Sequence, residues 1–233
     1  MKTGCASSKP TCPAESGSRV TMMSAASQRR RRQEQRSGLT AAWCGRSHEV
    51  RLTLVSAPAV ELFPVGDTRT RDAARNLIAE YLRWIATSAA ANYGLSFDVD
   101  AMVTSDVDDR SKFYPPSGRF YVVRHSDAYI GVGCLKRLTP TVAEVQRMYV
   151  QPHVRGIGAG RRLVEQLLVD ARAIGYEVVR LESLKFLSAA HALYKSVGFV
   201  EITPYAENSM KEYQPVETMD TYRSSAVFME LRF

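Results

Sequence analysis

The closely spaced glycines of Arg155-Gly156-Ile157-Gly158-Ala159-Gly160 follow a strand-like segment, Glu144 to Val150, and precede a helix-patterned one. Pro152 closes the strand. These residue types in this order suit the binding of a phosphate ester. Glycines let backbone N–H groups approach a phosphate with no side chain in the way. The unpaired N–H groups and positive dipole end of the following helix then face the anion. At about 1.5–3 kcal/mol per charge-assisted hydrogen bond, about four or five such contacts hold a pyrophosphate. The same run, taken alone, also reads as a tight turn before a surface helix. It lacks the Lys-Ser/Thr pair of a nucleotide triphosphate loop, and no acidic residue follows a second strand as a dinucleotide fold requires.

The elements that must position this turn are marked by apolar periodicity and by breakers. Two alternations, residues 50–55 and 60–65, both qualify as the first strand. A helix opens within residues 67–72, carries Ala74, Leu77, Ile78, Tyr81, Leu82 and Ile85 at spacings of three and four, and ends near Gly94. The acidic stretch 97–109 holds a short second helix around residues 101–103. Residues 114–118 form a turn, and residues 120–124 and 129–138 are hairpin strands joined at Ser126-Asp127. A strand at 143–150, a helix at 158–174 capped by Gly175, a strand at 178–181 and a helix at 188–197 closed by Gly198 follow. Residues 200–202 and 226–231 are the last strands, and the polar segment 204–225 between them reads as a mobile loop. This order predicts an α+β domain, a central mixed, mostly antiparallel sheet flanked by helices.

Composition narrows the function classes. Residues 1–36 hold eight basic and two acidic residues, so six of the seven net positive charges lie there and the remainder is nearly neutral. Residues 1–45, rich in Ser, Gly, Pro, Ala and Arg, are expected to be a disordered basic tail, and residues 46–233 the folded domain. The Arg29 to Arg32 run offers a nucleic-acid or receptor contact, but solvated disorder is the favoured reading, and nucleic acid is not the expected partner. The tail also resembles an organelle transit peptide, and Met22 and Met23 offer alternative starts. Cys5, Cys12, Cys44 and Cys134 form no Cys-x-x-Cys pair, and His48, His125, His153 and His191 are scattered, so neither disulfides nor a metal is expected. No apolar run nears the ~20 residues of a membrane span. The expectation is a cytoplasmic protein without a membrane partner.

The chain resembles the GNAT superfamily of N-acetyltransferases. Arg155-Gly156-Ile157-Gly158-Ala159-Gly160 fits the family's Arg/Gln-x-x-Gly-x-Gly/Ala pyrophosphate loop, and Ala190-His191-Ala192-Leu193-Tyr194-Lys195-Ser196-Val197-Gly198-Phe199 looks like its second signature, a tyrosine-bearing helix followed by Gly-Phe. Both occur in order with a strand between them. The resemblance implies acetyl-CoA as co-substrate, no metal, and a single GNAT-like domain. It assigns cofactor binding to Met148, Tyr149, Val150 and residues Arg155, Gly156, Ile157, Gly158, Ala159 and Gly160. Ser183 stands where many members carry a pantetheine-binding Asn, and is assigned the same contact. A sheet that splits after this strand leaves main-chain groups of Met148, Tyr149 and Val150 to pair with pantetheine as a peptide strand would, and an N–H there polarises the thioester carbonyl. Ordinary ladder pairing is the alternative.

The acceptor amine must be neutral to attack. With a pKa near 10.4 it is mostly protonated at pH 7, which adds about 4–5 kcal/mol to the barrier. A general base is therefore useful. Glu144 occupies the position of the base in the histone-modifying branch, with His153 and Glu182 as further candidates, and the strand period puts Glu144, Gln146, Met148 and Val150 on one face. Pairing of Glu144 with Arg147 or solvent is the structural alternative. Tyr194 is the implied general acid for the CoA thiolate; a core tyrosine is the alternative. These residues fit direct attack by a primary amine in a ternary complex. A non-catalytic acyl-CoA sensor needs the glycine turn but neither Glu144 nor Tyr194. Amino acid, polyamine, aminoglycoside, protein lysine and N-terminus all stay open as acceptors, as does a homodimer.

Overall fold

The computed structural model describes residues 59–207 and 209–233. The strand candidate at 50–55, the Arg29 to Arg32 run and the reading of residues 1–45 as a disordered tail lie outside the described residues. The other first-strand candidate forms β1 (Val60–Pro64).

Asp67 starts helix α1 (Thr68–Tyr93): its side chain accepts the Thr70 N–H at the N-terminus, where an unpaired donor needs a partner. Gly94, at φ 68°, ends the helix in the left-handed conformation. Ala74, Leu77, Ile78, Leu82, Ile85 and Ala89 form its buried stripe. α2 (Val99–Asp108) is longer than the sequence suggests, and a one-turn helix α3 (Arg110–Phe113) that the sequence pattern does not mark follows it. The hairpin β2 (Arg119–His125) and β3 (Ala128–Arg137) turns where expected. β4 (Val142–Val150), α4 (Ala159–Ile174), β5 (Val178–Leu184), α5 (Ser188–Ser196) and β6 (Val200–Ile202) complete the expected order up to residue 202.

The segment 204–225 corrects the sequence reading. It is no open loop: a 3-10 turn (Ser209–Glu212) and helix α6 (Val216–Ser225) lie in it, leading to β7 (Ala226–Arg232). Tyr205, Ser209, Met210, Gln214, Met219 and Tyr222 are buried. A narrow stripe, Met219 and Tyr222 three residues apart, is enough to hold α6 against the core despite the segment's polarity.

The seven strands run in the order β1-β2-β3-β4-β5-β7-β6. Every neighbouring pair is antiparallel except β4 with β5. α1, α2 and α6 contribute to the core on one face, and α4 and α5 to that on the other. Leu163, Val164, Leu167 and Ala171 of α4 are fully buried, and removing a side chain such as Leu from water contributes roughly 1.5–3 kcal/mol.

Candidate active site

β4 and β5 are in parallel register over only three residue pairs, Val142 with Val178, Ala143 with Val179 and Glu144 with Arg180. Beyond Glu144 the two strands part, although β4 continues to Val150 and β5 to Leu184. The β5-facing edge of Met148, Tyr149 and Val150 therefore has no strand neighbour, and the ordinary ladder alternative does not hold on this side.

A bulge sits at the point of parting. The register of β3 against β4 slips between Val132 and Cys134, and Arg147 adopts φ 54°, a left-handed conformation uncommon for a non-glycine residue. The slip overturns the expected shared face of Glu144, Gln146, Met148 and Val150. Before it, Ala143 and Val145 pack with α4 while Glu144 and Gln146 face the other way; after it, Met148 and Val150 join the α4 side and Tyr149 the α1 side. One extra residue reverses the alternation. The Tyr149 hydroxyl donates to Glu80 of α1 (2.7 Å), and its ring lies 5.4 Å from that of Tyr81.

The parting opens a groove of about 520 Å³ between β4 and α5. Met148, Tyr149 and Val150 line it, as do Arg155, Gly156, Gly158, Ala159 and Gly160. Gly156 (φ 92°) and Gly158 (φ 86°) are left-handed, and a Cβ on either would meet no atom within 4 Å, so the turn is open to a ligand. Gly158 is the N-cap of α4 and supplies no side-chain acceptor, so the first N–H groups of the helix lack a capping side chain. A Cβ on Gly160 would come within 3.3 Å of Leu193 of α5. Arg155 donates from Nε to the Val150 carbonyl (3.2 Å), and its guanidinium lies over the Trp84 ring at 5.9 Å. An uncapped helix start, glycine-flanked, with an arginine beside it, fits a diphosphate. Two expected contacts lie elsewhere: Ile157 is 41% exposed and does not line the groove, and Ser183 bonds His191 Nε2 (3.1 Å) and lines an inner cavity.

Tyr194 of α5 lines the groove, is buried, and packs edge-on against Phe199 at 5.9 Å. Burial, with a smaller contribution from Tyr81, holds its phenol well above the usual range.

The inner cavity, about 70 Å³, lies against Val145, Gln146 and Arg147 of β4 and Glu182, Ser183 and Leu184 of β5. Leu187 borders both it and the groove. Glu144 is sealed behind the cavity at 0% exposure. Neither solvent nor Arg147 pairs with it: Tyr205 Oη donates to its Oε1 (2.6 Å), and Ser209 Oγ and Gln146 Nε2 donate to its Oε2. Arg147 pairs instead with Asp106 of α2. Because the Gln146 amide nitrogen is committed to Glu144, its Oε1 is left without a partner, as is Oε2 of Glu182. Burial first, and then the charge of Glu144, push the Glu182 carboxyl well above the ordinary carboxylate range, against the Tyr222 hydroxyl, the Arg147 charge and the Met210 N–H, which favour its charged form. Two orphaned acceptor oxygens at one cavity call for a donor, which an amine supplies. Sequence reasoning singled out Glu144 and put Glu182 behind it. It missed Gln146 as a site residue, and missed Tyr205 and Ser209, 61 and 65 residues away from Glu144. His153 lies exposed in a 3-10 turn (Pro152–Val154).

The sequence profile of the Acetyltransferase (GNAT) family matches residues 75–199. The chain belongs to this family. An IAA acetyltransferase of Azospirillum brasilense is 32% identical over 136 residues, 58% of this chain and 82% of the relative. An uncharacterized N-acetyltransferase of Escherichia coli K12 is 32% identical over 123 residues, 51% of this chain and 74% of its own. Among solved structures, an acetyltransferase from Streptococcus agalactiae 2603 superposes with a TM-score of 0.56 at 17% identity, covering 75% of this chain and 98% of its own, which shows the shared fold. Membership makes this chain an N-acetyltransferase with acetyl-CoA as acetyl donor. Among the described residues no group of three or more His, Cys, Asp or Glu converges as a metal site, and no helix is long and apolar enough to cross a membrane.

Proposed function

We propose that this acetyltransferase acts on a primary amine by direct attack, with the donor laid along the groove and the amine held in the inner cavity. The reading rests on one observation: β4 and β5 part beyond Glu144, and along the freed length of β4 lie, in order, a cavity with an orphaned buried carboxylate oxygen and a groove that ends in the glycine turn. In this reading the α4 N-terminus and Arg155 hold the diphosphate, and the free edge of Met148, Tyr149 and Val150 pairs with the pantetheine amides. A main-chain N–H of this stretch polarises the thioester carbonyl.

Glu182 takes a proton from the incoming ammonium, and Gln146 Oε1 accepts a second N–H, which fixes the nitrogen. Raising a carboxylate toward the amine's own pKa shortens the uphill proton transfer. Glu144 has a different part. Its three donors keep it in place, and its charge raises the proton affinity of Glu182; we assign it as a positioning residue. The nitrogen lone pair forms a bond to the acetyl carbon, the C–S bond breaks, and the thiolate takes a proton from Tyr194. Tyr194 is then restored by the second proton shed from the nitrogen. A phenol held above its usual pKa is a weak donor to a thiol near 8.5, so the help from Tyr194 is modest.

Thiol release from acetyl-CoA across a panel of amines tests this reading. Turnover with at least one amine is expected; CoA binding without turnover of any amine would instead indicate a sensor.

A further inference from the structure

Accepting that the inner cavity receives the amine, its charge pattern says more about the molecule. Arg147 and Lys112 both pair with the single carboxylate of Asp106, whose side chain is fully buried, so two cations share one anion. Lys112 also donates to the Tyr213 hydroxyl, and the Arg147 guanidinium lies 6.0 Å from the Tyr213 ring. Asp106 thus serves two cations, and the Arg147 charge also reaches Glu182, whose carboxyl it favours in the charged form. Arg147 uses Nε and Nη2 toward Asp106, and its Nη1 makes no hydrogen bond among the described residues. Glu182, which lines the same cavity, and Glu144 behind it form no ion pair among the described residues. The cavity is thus a small chamber lined by both an arginine with an unused donor nitrogen and two orphaned acceptor oxygens.

The backbone supports a role for Arg147 beyond pairing. A non-glycine residue in the left-handed region costs on the order of 1–3 kcal/mol and persists where the surroundings impose it, often at ligand sites. Here that conformation carries the guanidinium to the chamber that the parting strands create. Tyr81, Leu82, Phe97, Met102 and Met210 supply an apolar remainder. A void of 70 Å³ has room for roughly five waters.

We infer that the acceptor is a free amino acid with a small apolar side chain. Its amine sits at Glu182 Oε2 and Gln146 Oε1, and its carboxylate at Arg147 Nη1, so the product is the N-acetyl amino acid with CoA as the free thiol. A zwitterion satisfies the donor and the acceptors at once, whereas a simple amine leaves the Arg147 donor unused and a peptide amide offers it only a neutral oxygen.

Valine, valinamide and isobutylamine form a matched set for the test, because they share the amine and the branched carbon chain and differ in the carboxylate. With the wild-type protein, kcat/KM for valine should exceed that for the other two by about tenfold or more, the scale of one charge-assisted hydrogen bond. Arg147→Lys keeps a cation for Asp106 and removes the spare fork nitrogen. It should bring the valine-to-isobutylamine ratio to near one, and calorimetric binding of valine to the CoA-saturated protein should be lost. The wild-type ratios decide the matter even if the variant fails to fold. Isobutylamine turned over as well as valine, a ratio that Arg147→Lys leaves in place, or no turnover of any of the three while CoA binds would each overturn the amino-acid assignment. Absence of CoA binding would overturn the active-site reading beneath it.

Discussion

The groove and the inner cavity lie end to end along β4 and are built in opposite ways. One side of the groove is a single stretch rich in main-chain donors and acceptors, the free edge of Met148, Tyr149 and Val150, then a glycine turn and a helix start, all within thirteen consecutive residues, while Trp84, Phe186 and α5 supply the other side. The cavity is mostly side chain, gathered from α1, α2, β4, β5 and the 209–222 segment. Main chain suits a ligand part of fixed shape, such as a diphosphate. Side chains carry the titratable groups that chemistry needs, and burying those groups costs stability. The two regions should therefore fail differently when altered.

Glu182→Gln should give the largest change, a loss of about 10²–10⁴ in kcat, measured in the thiol-release assay at saturating acetyl-CoA. The variant should also be as stable as wild type or more so near pH 8. Glu182 has a folded pKa raised above its unfolded value. Its contribution to stability is therefore present at low pH and lost as pH rises through the folded pKa. Thermal unfolding at pH 5 and pH 8 checks the sign, and a variant that is less stable at pH 8 contradicts it.

Glu144→Ala should act on stability first. Tyr205, Ser209 and Gln146 would all lose their acceptor, and at about 1–3 kcal/mol for each unsatisfied buried group the loss should reach at least about 3 kcal/mol. Denaturant unfolding measures it; a loss below about 1 kcal/mol would show that these donors find other partners. Tyr194→Phe should lower kcat about tenfold and leave the KM for acetyl-CoA within twofold, because a donor held above its ordinary pKa contributes at the weak end of general acid catalysis. An unaltered kcat removes the acid role.

The smallest effect is in the pH profile. The acidic limb of kcat/KM for the amine should lie above the ordinary glutamate value of about 4.3, because Glu182 must lose its proton to act and its pKa is raised. The limb should vanish in Glu182→Gln.

The same contrast explains what the sequence disclosed. The turn at Arg155 to Gly160 is a local feature, and glycines together with the caps Asp67, Gly94 and Gly175 announce it and its neighbours directly. The bulge at Arg147 carries no glycine or proline on β4 itself, its glycine being Gly133 on the facing strand, so a strict alternation of faces along β4 places Met148 beside Glu144. The cavity had no local signature. Its carboxylates acquire their environment from Tyr205, Ser209, Met210 and Tyr222, in a segment whose few apolar residues are too sparse to signal a helix. The family resemblance draws Ser183 to the cofactor, but it lies within β5, where it bonds His191 and lines the inner cavity.

The division of labour between the two regions is most directly tested by calorimetric titration of CoA into wild type, Gly160→Val and Glu182→Gln. Gly160 lines the groove between Leu193 and Val150, so a branched side chain there presses on Leu193 and takes up groove space. The account predicts binding by wild type and Glu182→Gln alike, and at least tenfold weaker binding by Gly160→Val. No heat with wild type, or equal affinity in all three, would contradict it.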